Sequence, residues 1–392
     1  MTSLSRRRFL TRATLVGCSL AASPLLTPVS FAQAPWDTRL VVIILRGGMD
    51  GLDVVRPIGD PGFAALRHAT LRDPGLDLDG FFQLHPALGG LMPMWQRGQL
   101  GFVHAVSTPY RDKRSHFDGQ DLLEAGTSED GVVARDGWLN RMLQQVPGVH
   151  ADTAYAIGHS DMRLLNGAAP VANWAPDSDL RLSPQALRLA ELVMESDPQM
   201  HAALAEAMSL SEGAQAAMME GDASGRQTPH AEIAHYAADR LNKDARVAAF
   251  SLNGWDTHRG QANLLPRALK PLQETLLTLE KSMRPDAWQK TAVIAMTEFG
   301  RTARENGTRG TDHGTGGLMV MAGGAVRGGK VHGQWPGVTP DALYGGRDLM
   351  PTRDVRAHAA WIMRGLTGID NATLERHVFP GLEMGADPQL LM

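Results

Sequence analysis

Cysteine is almost missing from this 392-residue chain: Cys18 is the only one. Disulfides are therefore excluded. Long apolar runs are missing too. The moderately apolar stretch from Ala13 to Leu26 falls short of the roughly 20 residues a membrane span needs, which argues against a stable span in the mature chain. There is no block of Lys and Arg, which argues against nucleic acid as a partner. No internal repeat and no low-complexity linker interrupts the sequence. What is left is a chain long enough to bury a large core, as one large α/β domain or two smaller ones.

The N-terminus reads as a targeting segment. The run from Ser5 to Leu10, SRRRFL, is a twin-arginine pattern; the apolar stretch follows, and small residues offer a cut near Ala32 or Ala34. Pro35 would directly follow a cut at Ala34, where proline is unfavourable, so cleavage after Ala32 is preferred. Leu15 to Cys18 looks like a lipid-attachment box, but Arg12 leaves too little apolar sequence before it. The expectation is a signal peptide over residues 1–34 and a single α/β domain over 35–392. The signal resembles those of the twin-arginine export machinery, which carries folded proteins. That route suits a protein that takes up a metal before export to the periplasm or beyond. Loss of Arg6, Arg7, Arg8 and Arg12, with no acid, would leave the mature chain about four charges more negative than the formal −4.

Short apolar runs read as buried strands: Leu40 to Leu45, Leu100 to Val106, Arg246 to Leu252, Thr291 to Met296, Leu318 to Ala322 and, more weakly, Thr153 to Gly158. Helical patterns lie between them. One ends at Gly98, a plausible cap. One starts at Ser115 with Asp118 three residues on, a carboxylate variant of the capping box. Others are GWLNRMLQQV, Leu182 to Leu210, His230 to Asn242, Asn263 to Met283 and Arg353 to Leu366. Residues Ser211 to Pro229 are small and polar and read as a surface excursion. The alternation implies an α/β sheet with helices on both faces.

One connection stands out. Thr297 to Gly317, TEFGRTARENGTRGTDHGTGG, is long for a loop without its own structure, and such loops are usually functional. Its glycines near the end exclude the crossover helix a parallel connection usually needs. The spacing therefore predicts that the strand after it runs antiparallel to the strand before it. Glu298 and His313 would then meet at one edge of the sheet, where sites of open α/β sheets gather.

Three other loops share the pattern of an acid or a histidine just past an apolar run: LRGGMDGLD with Asp50 and Asp53, NGWDTH with Asp256 and His258, and KRSHFDGQD with Ser115 and His116. Carboxylates and imidazoles converging from separate strand ends are what a divalent metal requires. Each motif also has a plainer reading. Asp50-Gly51 reads as a turn, Asp256 or Thr257 as a cap for the next helix, Ser115 as an N-cap, Glu298 as a surface residue and Asp312 to Gly314 as a turn. His85, His104 and His358 have no constellation around them and read as packing or surface residues. Arg301 reads either as a cation for substrate oxygens or as a salt-bridge partner of Glu298 or Glu305.

LRGGMDGL, SHFDGQ, NGWDTH, TEFGRT and GTDHG, in that order behind a twin-arginine signal, resemble the bacterial domain-of-unknown-function family 1501. That family is similar to the alkaline phosphatase and sulfatase superfamily, whose members are metal-dependent and hydrolyse or transfer phosphate or sulfate esters; the resemblance implies its fold, an α/β three-layer sandwich with a mixed, mostly parallel sheet between helices. The resemblance implies metal binding by Asp50, Asp256, His258, Glu298, Asp312 and His313, with Ser115 near the nucleophile position, Asp112 or Thr108 as alternatives for it, and His116 and Arg301 near the chemistry. It implies one or two divalent ions and a small-molecule or glycan ester as substrate. Phe299 stands where the superfamily has a metal-binding histidine, so the expected set is rich in oxygen and favours Mg²⁺, Mn²⁺ or Ca²⁺ beside Zn²⁺. The rival expectation is a non-catalytic periplasmic binding protein that keeps the fold and one structural metal.

Overall fold

A computed structural model describes residues 36–68, 71, 73–111, 114–128, 134–158, 162–175 and 228–392. The expected signal peptide, the expected helix from Leu182 to Leu210, most of the polar excursion after it, and Asp112 lie outside the described residues.

Among the described residues nine strands form the main sheet: β1 Arg39–Arg46, β2 Leu100–Ser107, β3 Ala154–Ile157, β4 Ala172–Trp174, β5 Val247–Asn253, β6 Thr291–Met296, β7 Gly317–Ala322, β8 Val331–His332 and β9 Arg353–Asp354. Their order is β8-β2-β7-β6-β1-β5-β3-β4, with β9 paired to β2. Each apolar run read as a strand is one. Every pairing is parallel except the two made by β7, which runs antiparallel to both β6 and β2. The antiparallel return expected after the long connection is therefore present. A second, three-stranded antiparallel sheet joins Val55–Arg56, Gln83–Leu84 and Leu76–Asp77.

β1 shows why the run is continuous rather than alternating. It lies between β5 and β6, with Leu40 opposite Val247 and Ala292, so both of its edges are paired, and helices cover both of its faces. Val41, Ile43 and Leu45 face α3 Pro229–Leu241 and α4 Gln261–Ser282. Leu40, Val42 and Ile44 face α2 Trp138–Gln144 and α5 Val355–Thr367. The period of two thus splits one apolar run between two helical layers, and burying each such side chain is worth about 2 kcal/mol. Among the described residues, no helix is long and apolar enough to cross a membrane.

Two local expectations change. The helix α1 His116–Ala125, numbered first in chain order, is capped by Ser115, whose Oγ accepts from Asp118 N at 3.3 Å. The reciprocal half of the box is absent. Ser115 N donates instead to the Tyr110 hydroxyl at 2.7 Å. At the start of α4 neither Asp256 nor Thr257 caps the helix: the cap residue is Gly260, with φ +56° and no side-chain bond. Those two side chains are left for other partners.

Candidate metal centre

The carboxyl ends of β1, β2, β5 and β6 share one edge of the sheet, and the four loops leaving them carry the polar residues. The chain can turn this tightly after β1 because residue 47 is glycine. It has φ +124°, and a Cβ there would lie 2.6 Å from the Asp256 amide nitrogen. The long connection is less irregular than its sequence suggests. It folds back on itself, with Gly300 N on Thr315 O, Thr302 N on Asp312 O and Gly314 N on Gly300 O. This return sets His313 beside the loop after β5.

Three imidazoles converge on one carboxylate oxygen. Asp256 Oδ1 lies 3.1 Å from His258 Nε2, 3.5 Å from His116 Nε2 and 3.6 Å from His313 Nε2. The other ring nitrogen of each histidine is held by oxygen. His116 Nδ1 donates to Glu298 Oε1 at 2.7 Å, His258 Nδ1 to Asp312 Oδ1 at 3.2 Å and His313 Nδ1 to the Arg114 carbonyl at 2.9 Å. With each Nδ1 acting as donor, each Nε2 turns a lone pair toward the centre, the arrangement that orients imidazole ligands in metal sites. His258 Nε2 and His313 Nε2 are 2.8 Å apart, a contact that needs a proton or a cation between two lone pairs. His116 Nε2 is buried with no hydrogen-bond partner. His116, Asp256 and His313 meet the geometry of a three-ligand metal site, with ligand atoms within 4.8 Å of one another. The residues present fit a cation.

The charges agree. Burial raises the Asp256 carboxyl, but the hydrogen bond and charge of Arg301 outweigh it and hold the group below the usual carboxylate range. Burial likewise raises Glu298, and the bonds from His116 and Gln120 more than offset it, leaving it lowered. Burial, aided by nearby Arg301, pushes His313 down to about 4, so its Nε2 is a free base at neutral pH. The bond to Glu298 works the other way on His116 and raises it, so a proton competes with a cation for its Nε2.

The other expected residues stand around this cluster. Glu298 is fully buried and not a surface residue. Besides His116, its Oε1 accepts from Gly47 N at 2.9 Å and Gln120 Nε2 at 3.0 Å, so it orients rather than faces the cluster. Asp312 touches His258 and Asn306. Asp50 is set apart: both its oxygens are on Arg67, at 2.6 and 3.1 Å, and it caps the turn Gly51–Val54. Arg301 is buried and pairs with neither Glu298 nor Glu305. It donates to Asp256 Oδ1 at 2.5 Å and to the carbonyls of Gly47, Gly48, Thr311 and Trp255, so it laces three loops together. Arg46 is engaged with Gln120 and Glu124. Thr108 is buried and donates to the Glu298 carbonyl. Among the described residues no hydrogen bond joins Ser115 Oγ to His116. Phe299 is a buried wall, with ring centroids 5.0 Å from His116, 4.8 Å from His313 and 6.0 Å from Tyr110. His85, His104 and His358 are buried packing residues.

The sequence reading set His116 beside Ser115 in the chemistry and missed its place among the nitrogens. The signal was available in SHFDGQ: His116 and Gln120 are four apart on one helix face, and both reach Glu298. The resulting cluster is richer in nitrogen than expected. A cleft of about 210 Å³ opens beside it, lined by Tyr110, Arg114, Phe299, His313, Tyr344 and Arg347, among others.

The family described as protein of unknown function (DUF1501) matches residues 103–357. No curated protein matches the chain. Among solved structures, the chain is similar to a protein in the alkaline phosphatase superfamily from Vibrio parahaemolyticus, at 12% identity and a TM-score of 0.37, covering 76% of this chain and 64% of that one. It spans just under two thirds of that protein's length. It is also similar to the C-terminal periplasmic domain of EcEptC from Escherichia coli, at 11% identity, TM-score 0.40, 89% and 90% coverage. A third likeness is to the alkaline phosphatase of the Antarctic bacterium TAB5, at 11% identity, TM-score 0.34, 74% and 91% coverage.

Proposed function

The chain belongs to the DUF1501 family, and we propose that it is an exported, metal-dependent hydrolase acting on a phosphate or sulfate ester. One observation carries this reading: three Nε2 atoms turned onto Asp256, each with its Nδ1 held by oxygen. Asp256, His258, His313 and His116 would hold the ion. Three nitrogens and one carboxylate suit Zn²⁺ or a similar borderline ion better than Mg²⁺ or Ca²⁺. Such an ion supplies Lewis acidity toward an ester oxygen and lowers the pKa of water.

The chain's own residues account for the rest. Glu298, Asp312 and the Arg114 carbonyl fix the imidazoles. Arg301 fixes Asp256. Arg114 and Arg347 line the cleft beside His313 and favour an anionic ester there. Phe299 closes one side to water. Export rests on the twin-arginine pattern, which precedes the described residues.

Metal analysis of the purified mature protein tests the site. A divalent ion near one equivalent is expected, and it should be lost in His313→Ala. A panel of aryl phosphate, phosphodiester and sulfate esters tests the reaction, with turnover abolished by chelator. A second reading is favoured by Ser115 and Arg301, whose polar atoms are engaged in capping and lacing. It is a non-catalytic binding protein with one structural ion. Full metal content without turnover of any ester in the panel would select it.

A further inference from the structure

One buried carboxamide lies where the two histidine-bearing loops cross. Gln261, the first residue of α4, is fully buried. Its Nε2 donates to Asp50 Oδ2 at 2.7 Å and to Asp53 Oδ2 at 2.9 Å. Its Oε1 accepts from Thr257 Oγ1 at 2.9 Å and from Thr311 Oγ1 at 2.7 Å. The orientation is forced, because carboxylates can only accept while hydroxyls can donate. Every hydrogen-bonding position of the amide that the four neighbours can reach is used.

The two hydroxyls are placed tellingly in the sequence. Thr257 stands between Asp256 and His258, and Thr311 directly precedes Asp312 and His313. The backbones touch at the same point, with Thr311 N donating to Thr257 O at 3.2 Å. Gly310 permits this: a Cβ there would lie 2.3 Å from the His258 carbonyl carbon. On the far side the anchor is charged and rigid. Asp50 is gripped by Arg67 through two bonds, and Asp53 by Arg56 at 2.9 Å. All four of these side chains are buried. Buried ion pairs are weak contributors to stability compared with apolar packing of the same volume. A network of this kind is better explained by the position it enforces than by the energy it adds.

We propose that Gln261 is a positioning residue for the metal centre: through Thr257 and Thr311 it sets the separation of His258 and His313, and so the affinity and geometry of the ion between them. The inference rests on the metal reading of the site. Asp50, expected from the sequence to be a ligand, acts in this scheme as the fixed end of the clamp.

The test uses the full mature protein and Co²⁺ as the probe. Thr257→Val and Thr311→Val are near-isosteric and remove only a hydroxyl each; Gln261→Met removes the hub. Each Val variant should stay folded by near-ultraviolet circular dichroism, weaken Co²⁺ binding about tenfold or more and shift the visible d–d absorption of the bound ion. Thr257→Ser and Thr311→Ser, which keep the hydroxyl, should restore both. Adding Thr257→Val to Gln261→Met should cost no further affinity, because both act through one side chain. If Gln261→Met does not fold, the Val and Ser variants carry the test. Folded Val variants with wild-type affinity and spectrum would overturn the proposal, leaving Gln261 a structural residue only. Wild-type protein that takes up neither Co²⁺ nor Zn²⁺ would overturn the metal reading itself.

Discussion

Asp50→Asn separates a structural carboxylate from a ligand. The substitution keeps the shape of the side chain and an oxygen to cap Leu52 N, and it removes one negative charge from a fully buried place. Burial raises the Asp50 carboxyl, but the charge and bonds of Arg67, with the bond from Gln261, bring it below its ordinary value, so it is ionised at neutral pH. Without it, the Arg67 guanidinium keeps two carbonyl acceptors, Ala303 and Thr302, but no carboxylate within bonding distance. Removing one partner of a buried pair costs about 3–5 kcal/mol. The two remaining carbonyls place this case at the low end, about 3 kcal/mol. For a chain of this size that lowers the melting temperature by on the order of 5 °C. Replacing the stranded cation as well, in Asp50→Asn/Arg67→Met, should recover about half or more of the loss. Equilibrium urea unfolding measures each variant, with the midpoint moving and the slope unchanged. Metal stoichiometry at saturation should stay at the wild-type value, because no Asp50 oxygen faces the histidines. An Asp50→Asn protein as stable as wild type, or a double variant no more stable than the single, refutes the argument from the buried pair.

Further outcomes follow from other parts of the molecule. Burial holds His104 at about 4, below its unfolded value of about 6.5. The unfolded chain therefore takes up that proton first: the stability contribution is full above pH 6.5 and falls as pH drops toward 4, by about 3 kcal/mol. Urea midpoints between pH 7.5 and 4.5 should show this slope, and it should flatten in a folded His104→Asn variant. Phe299→Ala removes the wall shared by His116 and His313; it should cost about 3 kcal/mol and weaken Co²⁺ binding, both readable in one titration series. Zn²⁺ at about one hundred times its Kd should stabilise the protein by about 2.7 kcal/mol, an increment abolished by chelator or by Asp256→Ala. Arg6→Lys/Arg7→Lys should leave uncleaved precursor in the cytoplasm, as cell fractionation would show.

The sheet was largely legible because its strands are buried on both faces and so stand out as unbroken apolar runs. The long connection was legible as well: its glycines excluded a helix and therefore announced the antiparallel return of β7. The cluster was less so. Asp256, His258 and His313 were found as residues, but nothing in LRGGMDGLD tells whether Asp50 faces a metal or an arginine, since Arg67 arrives from 17 positions away. Glu298 was expected to touch metal, and in the structure its Oε1 holds His116. That contact depends on where α1 docks, which no local pattern encodes. Gln261 was invisible for the same reason, as its four partners come from three separate segments of the chain.

The bond between His116 and Glu298 spans 182 residues of sequence. Contacts of such separation form only after the intervening chain has been gathered, at the full cost of closing that loop. The histidine cluster stands on the loops that leave β1, β2, β5 and β6, so it exists only once those strands are paired, and an incompletely folded chain would offer a metal only scattered histidines. Loading would serve as a readout of completed folding, and a protein that meets its metal on one side of a membrane and works on the other would have to cross as a finished object.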